Sequence, residues 1–582
     1  MSAPQIVVLD TGGQYCHLIA RKVRELHVYA EVRASETPAA ELKGLKGLII
    51  SGGPSSVYSP GSPTVDPAIF HLGTPTLGIC YGQQLMAYLL GGDVQRGDKG
   101  EYGLAHLTVD TPTLLLNGVR GAQQVWMSHR DTVRGVPPGF SVLGHTATCE
   151  IAAMADPARK LYSVQFHPEV VHTHPGRRIF ENFVFSICGC QPDWDPSRRI
   201  PAVEDQIRLA AAGRKVFFFV SGGVDSTVAY TLCLRALGPE RVHGAYVDTG
   251  LMRDGETEFV RAAFERLGAT HFTVVDARGE FLAPLADVTE PERKRHIIGE
   301  QFVAVQEGIL QSGHYLDQDW ILGQGTIYPD TIESGGTTKA DKIKTHHNRV
   351  EGIQRLMEAG RIVEPLSSFY KDEVREIGRE LGIDAELLDR HPFPGPALAI
   401  RCLCTADSGA TQKLDEGWLL PVHSVGVQGD SRTYRPALAL DGMPADEHLP
   451  TELINRISNI NRVVAAVGSH APLSQLRSEP ATLTADRLDR LRRADAIVRR
   501  ASHEFDRTIW QFPVVLVPLG TSERPDSVVL RPIDSVDGMT AQAVRMPASL
   551  LERITAELLE ISGVCAVLYD LTHKPPATIE WE

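Results

Sequence analysis

At 582 residues the chain is too long for one hydrophobic core and should divide into roughly three or four domains. Its 43% hydrophobic and 22% charged residues are those of an ordinary globular protein and exclude wholesale disorder. A net charge of −14 speaks against a nucleic-acid backbone as the main partner, and no apolar run reaches the ~20 residues of a membrane helix.

The opening MSAPQIVVLDTGGQYCHLIARKVREL lacks a charged start followed by a signal core and passes straight into a strand and a helix, so a cytoplasmic protein is expected. The first stretch, 1–195, alternates β-branched runs (QIVVLD, GLIISGG, TLGIC, LYSVQFHPE) with helical patterns, which predicts a mostly parallel α/β sheet. The prolines and charges of CGCQPDWDPSRRIP interrupt both periods and mark a boundary. A second α/β domain, 196–401, carries VFFFV, VHGAYVD and HFTVVDA as strands and ends at the proline-rich RHPFPGPALAIR. Beyond it LPTELINRI (Leu449–Ile457) resembles MPASLLERI (Met546–Ile554). Each is preceded by strand-like runs and followed by an apolar strand, which predicts two copies of one unit at 402–480 and 481–582. The expected fold class is therefore α/β: two parallel-sheet α/β domains followed by a duplicated α+β module. Nine cysteines form no disulfide framework here, and Cys188/Cys190 and Cys402/Cys404 lack the two-residue gap of zinc knuckles, so they read as buried or incidental thiols.

In PTLGICYGQQLMAYLLGG a strand meets a sharp turn at Cys80 and then a helix. Gly78 and Gly82 flank the cysteine as G-x-C-x-G, which permits a strained turn that pushes a nucleophile out of the backbone. The free amides and dipole of a helix N-terminus suit negative charge there. In YSVQFHPEV an extended segment puts His167 and Glu169 on one face, with Pro168 stiffening the link. The imidazole can take the thiol proton and the carboxylate can fix its tautomer. Gly52 and Gly53 of LIISGGPSSV let backbone amides approach a ligand, and the N–H groups of Gly53 and Tyr81 are candidates for an oxyanion hole. Together these segments resemble class I glutamine amidotransferases. The resemblance implies that Cys80 attacks the carboxamide of glutamine, His167 is base and acid, and Glu169 orients it. It implies that Gln84 and the MSHRD stretch, Ser128 and His129 to Asp131, hold the glutamine.

VFFFVSGGVDSTVAY reads as a buried strand, a glycine turn and a helix N-terminus, a ready anion site. Ser221, Gly222, Gly223, Val224, Asp225, Ser226 and Thr227 offer amides and hydroxyls but no G-x-x-x-x-G-K-[ST] lysine, so transfer of the outer phosphoryl group is not expected. A loop that grips the outer two phosphates as a unit makes pyrophosphate the leaving group, and Asp225 can help hold Mg2+. This loop is similar to that of the ATP pyrophosphatases, which implies that AMP is what moves.

GQGTIYPDTIES, IKTHHN, RHPFPGPALAIR, SVGVQGDSRTY and HKPPATIEWE, in this order, resemble the long form of the GMP synthase (glutamine-hydrolysing) family over essentially the whole chain. The resemblance implies glutamine, ATP and xanthosine monophosphate (XMP) as substrates, with XMP contacts from Arg295, Asp430, Arg432, Gln511, Lys574 and Glu580. It implies a lid over ATP from TKADKIKTHHN, with Lys342, Lys344, His346 and His347. Asp330 and Glu333 are further candidate metal carboxylates. No nucleic acid and no membrane are expected as partners. Since short relatives resemble dimers joined through the module present twice here, the duplication favours a monomer, with a homodimer as the alternative. Two departures stand out: Ala397 replaces an expected glycine, and Gly323 replaces a common alanine. The first copy keeps QGDSRTY where the second reads SERPDSV, so only the first should retain that contact.

Three other readings stay open at this level. A tRNA-modifying enzyme shares the SGG-x-DS loop but would need a basic RNA surface. A second ligase that adenylates its substrate and draws on glutamine, such as NAD synthetase, shares the loop and the glutaminase. A non-catalytic scaffold with decayed sites is the third.

Overall fold

The computed structural model describes residues 3–111, 113–333, 351–390, 393–428, 431–457, 459–502, 509–535 and 541–582, apart from the side chains at 98, 99, 332, 333, 427, 428, 431 and 432. The described residues form two compact units, one built on the chain up to Ala202 and one on Val203–Asp330 with residues 351–582. Among the described residues no helix is long and apolar enough to cross a membrane.

The first unit is built on nine strands: β1 (Ile6–Asp10), β2 (Ala30–Ala34), β3 (Gly47–Ile50), β4 (Thr76–Ile79), β5 (Asp93–Val109), β6 (Gln123–Gly135), β7 (Ser141–His145), β8 (Ala153–Asp156) and β9 (Leu161–Val164). Their order in the sheet is β2-β1-β3-β4-β9-β8-β7-β5-β6. The five strands from β2 to β9 are parallel, and the remaining four are antiparallel. β3, β4 and β9 are buried at every residue, because helices cover both faces of a parallel sheet. The expected parallel sheet is thus present, extended by a long antiparallel hairpin.

In the second unit β10 (Lys215–Phe219), β11 (Val242–Asp248), β12 (His271–Asp276), β13 (Trp320–Gly323) and β14 (Ile362–Val363) lie in the order β12-β11-β10-β13-β14. All are parallel. The order reverses between β10 and β13, and an open parallel sheet has its crevice at that switch point.

The rest of the unit shows the repeat. A small pair, β15 (Gly409–Ala410) with β20 (Arg477–Ser478), and another, β23 (Ile533–Asp534) with β24 (Gln542–Ala543), flank a seven-stranded sheet. Its strands are β16 (Gln412–Leu414), β17 (Gly417–Gln428), β18 (Ser431–Leu440), β19 (Arg462–Ser469), β21 (Val514–Val517), β22 (Asp526–Leu530) and β25 (Val564–Asp570), ordered β16-β17-β18-β19-β25-β22-β21. An antiparallel pair β17/β18, a helix at Leu449–Arg456 and a strand β19 parallel to β18 form the first copy. An antiparallel pair β21/β22, a helix at Ala548–Leu559 and a strand β25 parallel to β22 form the second. The two meet along an antiparallel β19/β25 seam. Alternation divides the strands between two cores: Leu438, Leu440, Val514 and Leu516 face one, while Ala437, Ala439, Val515 and Val517 face the other.

The proline-rich RHPFPGPALAIR is no gap in the packing. Leu398 and Ala399 are buried in the same core as Phe281, beyond β12, and Leu438 of the seven-stranded sheet. Ala397 takes a left-handed φ of 54°, which is why a glycine is natural there; alanine in that region is strained by roughly 1 kcal/mol. Gly323 has a packing reason. A Cβ on it would lie 2.2 Å from Cζ of Phe218, so the ring occupies the room a methyl group would need. Gly323→Ala should therefore destabilise the protein by about 1–3 kcal/mol in urea denaturation, and Phe218→Leu in the same chain should recover most of that loss.

Candidate active sites

Cys80 closes β4 and caps the helix Tyr81–Leu89 with φ 53° and ψ −106°, a conformation that side chains other than glycine rarely adopt. Its neighbours make the turn possible. A Cβ on Gly78 would lie 2.6 Å from the Gly82 carbonyl oxygen, and one on Gly82 would lie 2.3 Å from that of Ile50. Strands β3 and β9 flank β4 and end at the same edge. After β3, the Gly52 Cα lies so close to the His167 ring that a Cβ there would sit 3.0 Å from Cε1. Tyr81 is the first residue of its helix, so its N–H belongs to the set a helix leaves unpaired. Gly53 is pressed against the carbonyl of Thr11, which a Cβ would approach to 2.6 Å.

His167 lies in irregular backbone and Glu169 in a turn after β9, not in a strand. The pairing inferred from side-by-side extended residues is nevertheless made across that turn, with Nδ1 of His167 2.7 Å from Oε1 of Glu169. Both are buried. Burial works against a proton on His167. The Glu169 carboxylate and the Cys80 sulfur, to which the ring also hydrogen-bonds, outweigh that and hold the imidazole well above the usual histidine value. Sequence reasoning missed the groups that hold these residues in place. The Thr173 hydroxyl donates to the His167 carbonyl at 2.6 Å and accepts the Trp126 N–H at 3.0 Å. The Thr11 hydroxyl donates to the Gly52 carbonyl at 2.8 Å. Hydroxyl-to-carbonyl bonds between sequence-distant loops leave no local pattern.

Gln84 is buried and donates to the Asp131 carbonyl at 2.8 Å and to Gln165 Oε1 at 3.3 Å. The Cys80 thiol lies 3.7 Å from the carbonyl oxygen of Ser128. The His129 ring is engaged elsewhere, with Nδ1 2.9 Å from the Asp131 carbonyl and Nε2 3.4 Å from Glu101.

In the second unit, the loop after β10 starts the helix Val224–Leu237. The hydroxyls of Ser226 and Thr227 donate to the Gly223 carbonyl at 3.1 and 2.8 Å, and the Ser221 hydroxyl accepts the Gly223 N–H at 3.2 Å. Gly222 is left-handed at φ 72° and packs on Val260. The chain leaving β13 comes down on this loop at Gly325, where a Cβ would lie 2.8 Å from the Ser226 nitrogen. A lysine from outside the loop reaches it: Nζ of Lys371 is 2.7 Å from Oδ2 of Asp225. Lys371 opens the helix Lys371–Glu380, whose start is fixed by Glu373 accepting the Tyr370 N–H at 2.7 Å. A cation at a helix N-terminus opposes the dipole, so its place calls for an anionic partner. Asp225 keeps its other oxygen, Oδ1, buried without a hydrogen-bond partner, a hard donor that fits Mg2+. Asp330 instead accepts the Ile327 N–H at 3.1 Å. The Glu333 side chain lies outside the described residues.

Of the expected XMP contacts, Asp430 and the side chain of Arg432 lie outside the described residues, as do Lys342, Lys344, His346 and His347. Arg295 donates to the Glu582 carbonyl. Glu580 is gripped by Arg401 through two bonds of 3.0 and 2.7 Å. Gln511 lines a small cavity with Arg253, Arg401, Arg499 and Phe512, a cluster of guanidiniums that no sequence motif marked. Lys574 pairs through its backbone with Ala541, its N–H donating at 2.8 Å.

Glu169→Gln keeps the shape and removes the charge that most favours the His167 proton. The His167 titration, followed by NMR of its Cε1–H, should move to lower pH; a titration unchanged from the native protein would remove Glu169 from the pair.

Comparison with known proteins gives the family of the chain. The model of the class-I glutamine amidotransferases matches residues 7–187, that of NAD synthase residues 197–288, and that of the GMP synthase C terminal domain residues 499–581. A probable glutamine-hydrolyzing GMP synthase of Leptospira interrogans is 42% identical over 99% of both chains. The GMP synthase of Thermosynechococcus vestitus is 40% identical over 99% of this chain and 96% of its own. That of Prochlorococcus marinus is 44% identical over 97% of its own length and 81% of this chain. The chain belongs to the glutamine-hydrolysing GMP synthases.

Proposed function

We propose that this chain converts XMP to GMP, taking nitrogen from glutamine and cleaving ATP to AMP and pyrophosphate. The observation that carries the reading is the presence in one chain of a Cys80–His167–Glu169 constellation and of a Ser221–Thr227 loop whose cation is Lys371.

In the glutaminase, read as residues 1–195, the Cys80 sulfur attacks the side-chain carbonyl of glutamine. The N–H groups of Gly53 and Tyr81 stabilise the resulting oxyanion. His167 hands its proton to the departing ammonia, and water then releases glutamate from the thioester. Gln84 and the Ser128–His129 backbone form the wall along which the glutamine lies.

In the adenylating part, 196–401, the loop and Lys371 hold the outer two phosphates of ATP. Asp225, through its unpartnered Oδ1, would hold Mg2+, which would supply further positive charge beside those phosphates. The oxygen on C2 of XMP attacks the α-phosphorus, pyrophosphate leaves, and ammonia then displaces AMP together with that oxygen. Arg295, Asp430, Arg432, Gln511, Lys574 and Glu580 are the groups assigned to XMP, with the guanidiniums beside Gln511 suited to its phosphate. Lys342 and Lys344 are assigned to a lid over ATP. The modules at 402–480 and 481–582 satisfy each other along the β19/β25 seam, which favours a monomer, and the chemistry is that of a cytoplasmic enzyme.

Incubation with ATP, Mg2+, XMP and glutamine should yield GMP, AMP, pyrophosphate and glutamate, with 18O from C2 of XMP recovered in AMP; ADP among the products, or AMP without the label, would refute the reading. Cys80→Ala should abolish the glutamine-dependent reaction and leave the ammonium-dependent one intact. Lys371→Met should lower the ammonium-dependent rate by about 10²–10³-fold while glutamate release in the same preparation persists.

A further inference from the structure

Beside the catalytic constellation, the first unit gathers a second set of side chains with ligand chemistry. Glu101 on β5 and His129 on β6 stand directly opposite each other in the register of their hairpin. Cys149, in the segment between β7 and β8, reaches the same point, and one ligand atom from each of the three lies within 4.8 Å of the others. The 3.4 Å between His129 Nε2 and Glu101 Oε2 is about the edge of a tetrahedron built on metal–ligand bonds of ~2.1 Å.

Each member is held from behind. Nδ1 of His129 lies 2.9 Å from the Asp131 carbonyl, which can only accept, so this nitrogen carries a hydrogen and Nε2 is the atom turned toward Glu101 and Cys149. The Thr146 hydroxyl lies 3.0 and 3.3 Å from the two oxygens of Glu101 and 3.0 Å from the Cys149 nitrogen. The Thr132 hydroxyl is 3.6 Å from Cys149 Sγ. An imidazole fixed by a carbonyl, a carboxylate fixed by a hydroxyl and a sulfur beside another hydroxyl is the way metal ligands are oriented by the groups behind them. His129 is only 8% exposed, and its buried Nε2 faces Oε2 of Glu101 at 3.4 Å without a well-formed hydrogen bond. Burial works against charge on the ring, yet the Cys149 sulfur and the Glu101 carboxylate push its proton affinity up to about 10, so the geometry draws positive charge, a proton or a metal ion, to the point the three share.

We propose that Glu101, His129 and Cys149 bind a divalent cation of the zinc class. Sulfur and imidazole with one carboxylate select Zn2+ over Mg2+ or Ca2+, which take oxygen. Three protein donors leave a fourth position for water or a small ligand. The cation ties together β5, β6 and the segment before β8. Ser128, whose carbonyl lies 3.7 Å from the Cys80 sulfur, adjoins His129, so occupancy stiffens the backbone beside the nucleophile.

The test uses the full chain carrying Cys80→Ala, which removes the competing thiol of the glutaminase site, with Co2+ as the spectroscopic probe. One equivalent of Co2+ should give a thiolate-to-metal charge-transfer band with tetrahedral d–d bands, both displaced by Zn2+, and Zn2+ should raise the melting temperature. Adding Cys149→Ser should remove the band and weaken binding more than about 100-fold. Glu101→Gln, which preserves the shape should Cys149→Ser fail to fold, should keep the band and weaken binding at least about 10-fold. No band at one equivalent, a band that survives Cys149→Ser, or an affinity untouched by Glu101→Gln overturns the proposal; a cluster that merely shares a proton gives the first of these.

Discussion

Parallel strands all finish at one edge of their sheet, and that constraint places both candidate sites. In the first unit β3, β4 and β9 are neighbours, and each leads at that edge into a functional group: the Gly52–Gly53 backbone, Cys80 and His167. None of these is close to another in sequence; sheet order alone makes them adjacent. In the second unit the loops leaving β10 and β13 meet where the strand order reverses, and Gly325 is pressed on Ser226. Glycine at such edges is a matter of clearance, since a β-carbon at Gly78, Gly82 or Gly325 would fall within 3 Å of a backbone atom.

The two centres answer opposite electrostatic demands. In the proposed reaction the glutaminase generates negative charge on sulfur and then on oxygen, and the Cys80 sulfur stands beside an imidazole whose proton a buried carboxylate favours. The nucleotide loop must receive charge already present on phosphates. A loop with its own lysine would bias chemistry toward the outer phosphoryl group. Here the ammonium arrives from the start of a different helix and rests on Asp225. Lys371 at a helix N-terminus is unfavourable in isolation, which is the kind of local cost that function imposes.

Legible in the sequence was whatever lies in one short stretch. The elbow at Cys80 and the Ser221–Thr227 loop are local devices, each a strand, a glycine turn and a helix, and they stand where such patterns put them. The duplication was legible for the same reason, as one helix-and-strand pattern met twice. His167 and Glu169 were paired correctly on a mistaken backbone, because two residues on either side of a proline can meet across a turn as well as along a strand. Lys371, Arg253, Arg499, Thr11 and Thr173 were illegible: each acts on a partner brought near only by the tertiary fold. The glycine and alanine exchanges at Ala397 and Gly323 look minor in sequence, yet one sits at a left-handed φ and the other under the Phe218 ring.

One buried carboxylate ties the two halves of the seven-stranded sheet together. Asp570 closes β25 of the second copy, and its buried carboxylate holds Arg462 of the first copy and Arg531 of the second, each at 2.8 Å. Those guanidiniums in turn donate to the carbonyls of Thr578, Ile579 and Glu580, and the Trp581 indole donates to Asp570 at 2.9 Å. The segment after β25 is thereby laid back across the first copy, where Val425 donates to the Trp581 carbonyl at 2.9 Å. A carboxylate shared by two buried guanidiniums is tolerable only while all three remain, so neither copy completes its interior alone.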